Sequence, residues 1–337
     1  MLAIIILGIG TTLGVAVQAI VQIPALLKTG FKWQPIVDLK DPALHGAIKI
    51  AIPTFIYVLG MLVAFTCRNA FSLEISDSGP ATILYAWTWY QLPYGVIAVS
   101  LSRTMFTEMS DSSAKGNIKK LRSQVNTGLS ITLIAIIPLA MLMGTFALPL
   151  MSLFRAGAFN AGDVQTVALV LQVWVVSLPF YSVVMYLYNV YASIRKFTIF
   201  AVVSIISVIG QCFFYWLFCT QFDTFGLLGI PIADFIFYAG ICIVLLIILK
   251  SKIGSFDVGK IIWSAIRVLL ASSVGCFVGV VLMNYIDLGS TSMLNGIFQL
   301  VVCGTISLIV VALFCWLFRV KEILQLFDAI KNKFKRN

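Results

Sequence analysis

The feature that most constrains this chain is a series of nine long apolar runs. They lie at roughly 2–27, 44–70, 81–102, 128–151, 165–191, 198–219, 226–249, 261–284 and 293–318. A helix needs about 20 mostly apolar residues to cross a bilayer, and these runs reach or exceed that length. In lipid every backbone N–H and C=O must be satisfied within the protein, so only helices and closed barrels span. Barrel strands alternate apolar and polar residues, and these windows do not. The composition excludes a water-soluble globule: 61% of residues are hydrophobic and 11% charged, with mean hydropathy +1.03, whereas soluble domains are about half apolar and a quarter charged. The expected fold is an all-α integral membrane protein with nine transmembrane helices.

Lysine and arginine concentrate in cytoplasmic loops. Of the 23 basic residues, nineteen fall in alternate connections, at 28–43, 103–124, 193–197, 250–260 and 319–337; the opposite connections hold only Arg155. The bias places the C-terminus inside and, with nine spans, the N-terminus outside. No basic flank holds such a start, so the expected chain is the C-terminal portion of a longer protein. The net charge of +10 suits the anionic inner leaflet, which contributes about 1 kcal/mol per nearby basic residue. Nucleic acid is not an expected partner, because no soluble basic domain is present.

Charges inside spans are costly and by default suggest function. Lys49 lies near the inner end of the second span, where a lysine reaches the surface by snorkelling. Arg267 sits similarly in the eighth span. Arg68, in "FTCRNAF", lies towards the outer end of the second span. Asp234, in "GIPIADFIFYAG", lies about eight residues into the seventh, about 12 Å deep at 1.5 Å per residue. An isolated carboxylate at that depth becomes protonated or paired, and Arg68 is the natural partner. The pair reads equally as a structural lock between helices or as part of a substrate or ion site.

The prolines Pro53, Pro93, Pro138, Pro179 and Pro231 also interrupt spans; each removes a helical hydrogen bond and favours a kink. In "YAWTWYQLPYG" (85–95), Trp87, Tyr90, Gln91 and Tyr94 share one helix face by their spacing. Near mid-span this face is expected to line a cavity. The chain contains no GxSxG, Walker A or HExxH motif and no clustered carboxylates suited to acid–base work, so enzymatic chemistry is not expected. Seven cysteines without CxxC, and a single histidine, His45, give neither a disulfide framework nor a zinc site. No cofactor is expected.

Several stretches resemble the MurJ (MviN) family of lipid II flippases, within the multidrug/oligosaccharidyl-lipid/polysaccharide exporter superfamily. They are "VQAIVQIPALLKTGF" (17–31), "KIAIPTFIYVLG" (49–60), "YAWTWYQLPYGVIAVSLSRTMFTEMS" (85–110), "PLAMLMGTFALPLMSLFRAGAFNAGD" (138–163) and "LPFYSVVMYLYNVYAS" (178–193). The likeness is in register over about 200 residues. It implies that the nine spans correspond to helices 6–14 of a fourteen-helix, two-lobe protein. Residues 1–27 would end the first lobe, 44–249 form the six-helix second lobe, and 261–318 form two added helices bordering a groove for lipid tails. Residues 319–337 are a basic cytoplasmic tail.

The resemblance implies transport of an undecaprenyl-pyrophosphate-linked peptidoglycan precursor by alternating access in the bacterial cytoplasmic membrane, and cell-wall synthesis proteins as partners. Two departures bear on the site. The family's cavity arginine in the eighth helix is Thr88 here, beside Trp87. Where some members carry a sodium-binding acid twenty residues earlier, this chain has Arg68. The candidate substrate-binding set is therefore Arg68, Thr88, Gln91, Asp234, Trp87 and Lys49, with Arg68 supplying a permanent cation. An exporter of another lipid-linked glycan and a non-transporting scaffold of the cell-wall machinery remain alternatives.

Overall fold

The structure is a computed structural model that describes residues 2–30, 42–155, 160–222, 224–286, 293–318 and 320. The described residues are helical, with no strand among them. Thirteen α-helices follow in order: α1 (Leu2–Lys28), α2 (Pro42–Ile75), α3 (Gly79–Pro93), α4 (Val99–Ala114), α5 (Ile118–Thr145), α6 (Ala147–Ser152), α7 (Ala161–Trp174), α8 (Leu178–Ser193), α9 (Phe197–Trp216), α10 (Gly229–Ile253), α11 (Val258–Tyr285), α12 (Met293–Phe298) and α13 (Gly304–Leu317). They fall into two units, Met1–Lys49 and Ile50–Asn337. In the first, α1 is apolar all round, and residues such as Ile9, Val15 and Val21 are exposed, as a lipid-facing helix requires.

Among the described residues, eight helical stretches are long and apolar enough to span: Gly8–Lys28, Ala51–Ile75, Ile118–Thr145, Ala161–Ser193, Phe197–Gln221, Gly226–Ile253, Val258–Tyr285 and Met293–Leu317. The ninth expected span, 81–102, is helical but not among them. Its aromatic and amide residues dilute the hydropathy. There α3 ends at Pro93 and a π-helical turn, Tyr94–Ala98, leads into α4. A proline withdraws one N–H from the ladder, and a π-bulge is a common local adjustment, often at functional positions.

In the larger unit α5 is central, packing against α4, α8 and α11. Gly128 makes the close approach to α8 possible: a Cβ there would overlap the Tyr186 hydroxyl and ring. Small residues do the same between α11 and α13, where Gly275 and Gly279 face Val311 and Ser307. Membrane helices use small residues in this way because lipid supplies little hydrophobic drive to bring them together.

The helix ends are specified locally. Asn117 caps α5 by accepting from the Lys120 N–H at 3.0 Å. Asn160 and Asp163 form a reciprocal capping box on α7. Gly254 ends α10 with φ +86°, and Arg122 donates to the Ile253 carbonyl at 2.7 and 3.2 Å. This contact brings two of the basic connections, 103–124 and 250–260, to the same end of the bundle. Residues 31–41, the residues beyond 320, and the side chains of Lys49 and His45 lie outside the described residues.

Candidate functional site

The interior of the larger unit holds one elaborate polar cluster, centred on Asp234 of α10. Asp234 is fully buried, and Arg68 of α2 is 5% exposed. One carboxylate oxygen, Oδ2, accepts from the Trp174 indole N–H at 2.9 Å and faces the Arg68 guanidinium at 3.6 Å. The other, Oδ1, accepts from Gln211 Nε2 at 2.7 Å and from the Tyr215 hydroxyl. Gln211 also donates to Tyr215 at 2.8 Å, and Arg68 Nε reaches the same hydroxyl at 3.4 Å. Four helices, α2, α7, α9 and α10, thus meet on a single carboxylate.

The division of labour matters. Three neutral donors hold Asp234 at short range, while the cation stands further off. Both carboxylate oxygens therefore have hydrogen-bond partners without the guanidinium, as buried polar groups require. Arg68 in turn rests on aromatic faces, its guanidinium carbon 4.3 Å from the Trp87 ring centre and 5.2 Å from that of Trp174. Cation–π contact of this kind is worth about 0.5–2 kcal/mol, more when desolvated. The guanidinium is cushioned as well as paired.

The aromatic support is continuous. Trp87 stacks on Tyr90 at 5.1 Å and leans on Trp174 at 5.2 Å; Tyr181 touches Tyr90, Tyr94 and Tyr238 at 5.5, 5.0 and 5.1 Å. The Ser177 hydroxyl donates to the Trp174 carbonyl at 2.8 Å, so the Tyr90 hydroxyl, 2.9 Å away, is the donor to Ser177. Tyr90 is fully buried. The face expected to form an open cavity wall is closed at this point by rings from α7 and α8, with Gln91 and Tyr94 half-buried along it.

The expected residues therefore divide. Arg68, Asp234 and Trp87 come together. Gln91 lies one turn along α3 from Trp87, beside Tyr181. Thr88 does not join them: it is exposed, and its hydroxyl donates to the Leu84 carbonyl of its own helix at 2.8 Å. Lys49 cannot be placed, its side chain lying outside the described residues. Arg267 of α11 is elsewhere, over the Trp263 ring at 5.1 Å. Sequence reasoning missed Trp174, Gln211 and Tyr215. Gln211 was the most accessible of these, an amide deep within an apolar helix.

A second feature is a cavity of about 820 Å³ between α5, α8, α10 and α11, lined by residues such as Leu133, Ile137, Val176, Phe180, Leu246 and Ile262. Gln172 and Thr145 are its few polar members. Among the described residues no group of histidine, cysteine and acidic side chains is arranged to hold a metal ion.

The described residues thus define a multi-pass helical membrane protein with a charged, aromatic-cushioned interior and an apolar side cavity. Residues 1–314 match the family model described as lipid II flippase MurJ, and the chain belongs to that family. It is 28% identical over 193 residues to a probable lipid II flippase MurJ of Borreliella burgdorferi, covering 56% of this chain and 37% of that protein. With a Synechocystis protein of the same description it is 23% identical across 100% of this chain and 63% of the other. A solved structure titled lipid II flippase MurJ, inward closed conformation, shares the fold with TM-score 0.64 at 20% identity, covering 91% of this chain and 61% of that one. The chain thus spans well under half the length of the first relative and about three fifths of the solved structure.

Proposed function

We propose that this chain forms the substrate-handling lobe of a flippase that moves lipid II, a prenyl-pyrophosphate-linked peptidoglycan precursor, across the bacterial cytoplasmic membrane by alternating access. The observation that carries this reading, beside the family match, is the way Arg68 is held. Asp234 keeps three neutral donors if Arg68 moves away. The guanidinium can therefore exchange its carboxylate for a substrate phosphate without leaving a bare buried anion, the usual penalty for breaking an interior pair. Arginine suits this task because its planar fork meets phosphate oxygens in two places. In this reading residues 44–249 are the transport lobe, Gln91 and Trp87 border the path, and Thr88 marks where the arginine of related proteins is missing.

The apolar cavity between α5, α8, α10 and α11 takes the prenyl tail. Lipid tails are as apolar as the groove, so moving a tail into it changes free energy little. The cavity sets the substrate's register while the headgroup supplies affinity. The inside-negative membrane potential favours outward movement of an anionic headgroup, by about 2.3 kcal/mol per charge per 100 mV. The basic connections face the cytoplasm, with the C-terminus inside, and bind anionic inner-leaflet lipids; cell-wall synthesis proteins are the natural partners. Export of another lipid-linked glycan is the second reading, favoured by the exposed Thr88. In cells depleted of their own lipid II flippase, the protein is expected to restore lipid II to an externally added cleaving enzyme. Failure, with export of a different lipid-linked glycan, would establish the second reading instead.

A further inference from the structure

We propose that Cys67 of α2 and Cys212 of α9 form an oxidisable thiol pair that, when joined as a disulfide, pins α2 to α9. The two thiols are near enough to act on each other electrostatically. The helix register places them there independently. Gly60 of α2 lies against Ile205 and Val208 of α9, where a Cβ would stand 3.7 Å from Ile205 and 3.9 Å from Val208. Seven residues, or about two helical turns, separate Gly60 from Cys67 and Ile205 from Cys212. One residue beyond Cys67, Arg68 reaches Tyr215 of α9 at 3.4 Å. The helices therefore run side by side in one direction, with the cysteines facing across the seam. Both are free thiols and half-buried, so a small membrane-permeable reagent can reach them.

The chemistry is disulfide exchange. One cysteine, as thiolate, attacks a disulfide-bearing oxidant and releases one thiol, leaving a mixed disulfide. The second cysteine attacks the protein sulfur of that intermediate and releases a second thiol. Two electrons pass from the cysteines to the oxidant, and the two cysteine protons end on the released thiols. The product bond requires Cα atoms about 4.4–6.8 Å apart, so it holds the two backbones at close range. Cys67 adjoins Arg68 and Cys212 adjoins Gln211, so the bond spans the same helix pair that meets at Asp234. The expected consequence is a guanidinium confined to its carboxylate. That consequence, unlike the crosslink, rests on the transport reading.

The test uses the whole protein in lipid vesicles, with the other five cysteines changed to alanine, and 4,4′-dithiodipyridine as oxidant. The pair is expected to release two thiopyridones per chain, lose two hydrogens by mass and retain no adduct. C67A and C212A versions should each release one thiopyridone and keep one adduct. Adducts on both cysteines of the pair, or unreactive single thiols, would overturn the proposal. If the alanine background does not fold, peptide mapping of the oxidised natural protein reads the same bond: a Cys67–Cys212 linked peptide supports it and its absence overturns it. Oxidised protein should stop transporting and recover with reductant. Undiminished transport by crosslinked protein would overturn the pinning role alone, whereas inactivity of the reduced protein would instead count against the flippase reading.

Discussion

Helices α2 and α8 show two ways of holding a membrane helix in place. The central stretch of Ala161–Ser193, which contains α7 and α8, is 67% buried, while that of Ala51–Ile75 in α2 is 11% buried. Helix α8 is fixed by interdigitated bulk: Tyr186, Leu187, Val190 and Tyr191 are all fully buried. Helix α2 buries much less, and two of its contacts stand out. Tyr57 packs its ring against Tyr188, Phe197 and Phe200 at 5.7, 6.1 and 5.5 Å, and Arg68 reaches the Asp234 cluster. A helix held by bulk has one position. A helix held by a ring contact and an exchangeable ion pair can take a second position once the pair finds another partner.

Substitutions can break or sharpen this contrast. The largest effect is expected from Asp234→Ala, which strands Arg68 without a counterion and should cost about 3–5 kcal/mol, read as loss of thermal or denaturant stability in detergent. Gly128→Ala forces a methyl group into Tyr186 and should cost about 1–3 kcal/mol by overpacking the α5–α8 contact. Arg68→Ala should cost less than Asp234→Ala, about 1–2 kcal/mol, because the carboxylate keeps its three neutral donors while the cation–π contact is lost. Equal losses for Arg68→Ala and Asp234→Ala would mean that the neutral donors do not compensate, and the exchange argument would fail. The smallest effect belongs to Gly60→Ala on α2. Its methyl meets only ordinary contacts, and alanine favours the helix by about 0.5–1 kcal/mol, so the protein should be unchanged or slightly more stable.

What was legible in advance follows from how rare each residue type is in lipid. Charges inside spans are scarce, so Arg68 and Asp234 stood out and their pairing followed from desolvation cost. Pro93 announced an irregular helix, and the π-turn follows it directly. Trp174 and Tyr215 did not stand out, because aromatic residues are ordinary in such helices and only the fold aims their N–H and O–H at one carboxylate. The segment 81–102 does not meet the length-and-composition test for a span for a related reason: its polar and aromatic residues lower its hydropathy. Thr88 was correctly placed on α3, but the direction of its side chain depends on the face the bundle buries.

The central claim is that Arg68 exchanges Asp234 for substrate phosphate. The direct measurement is the rate at which lipid II becomes available at the outer face when the protein carries Arg68→Ala, compared with Arg68→Lys and the natural sequence, each verified as folded. The account predicts at least a tenfold loss for alanine, equivalent to about 1.4 kcal/mol, with partial recovery for lysine because it restores charge but not the two-pronged contact. A folded Arg68→Ala protein transporting at the natural rate would contradict it.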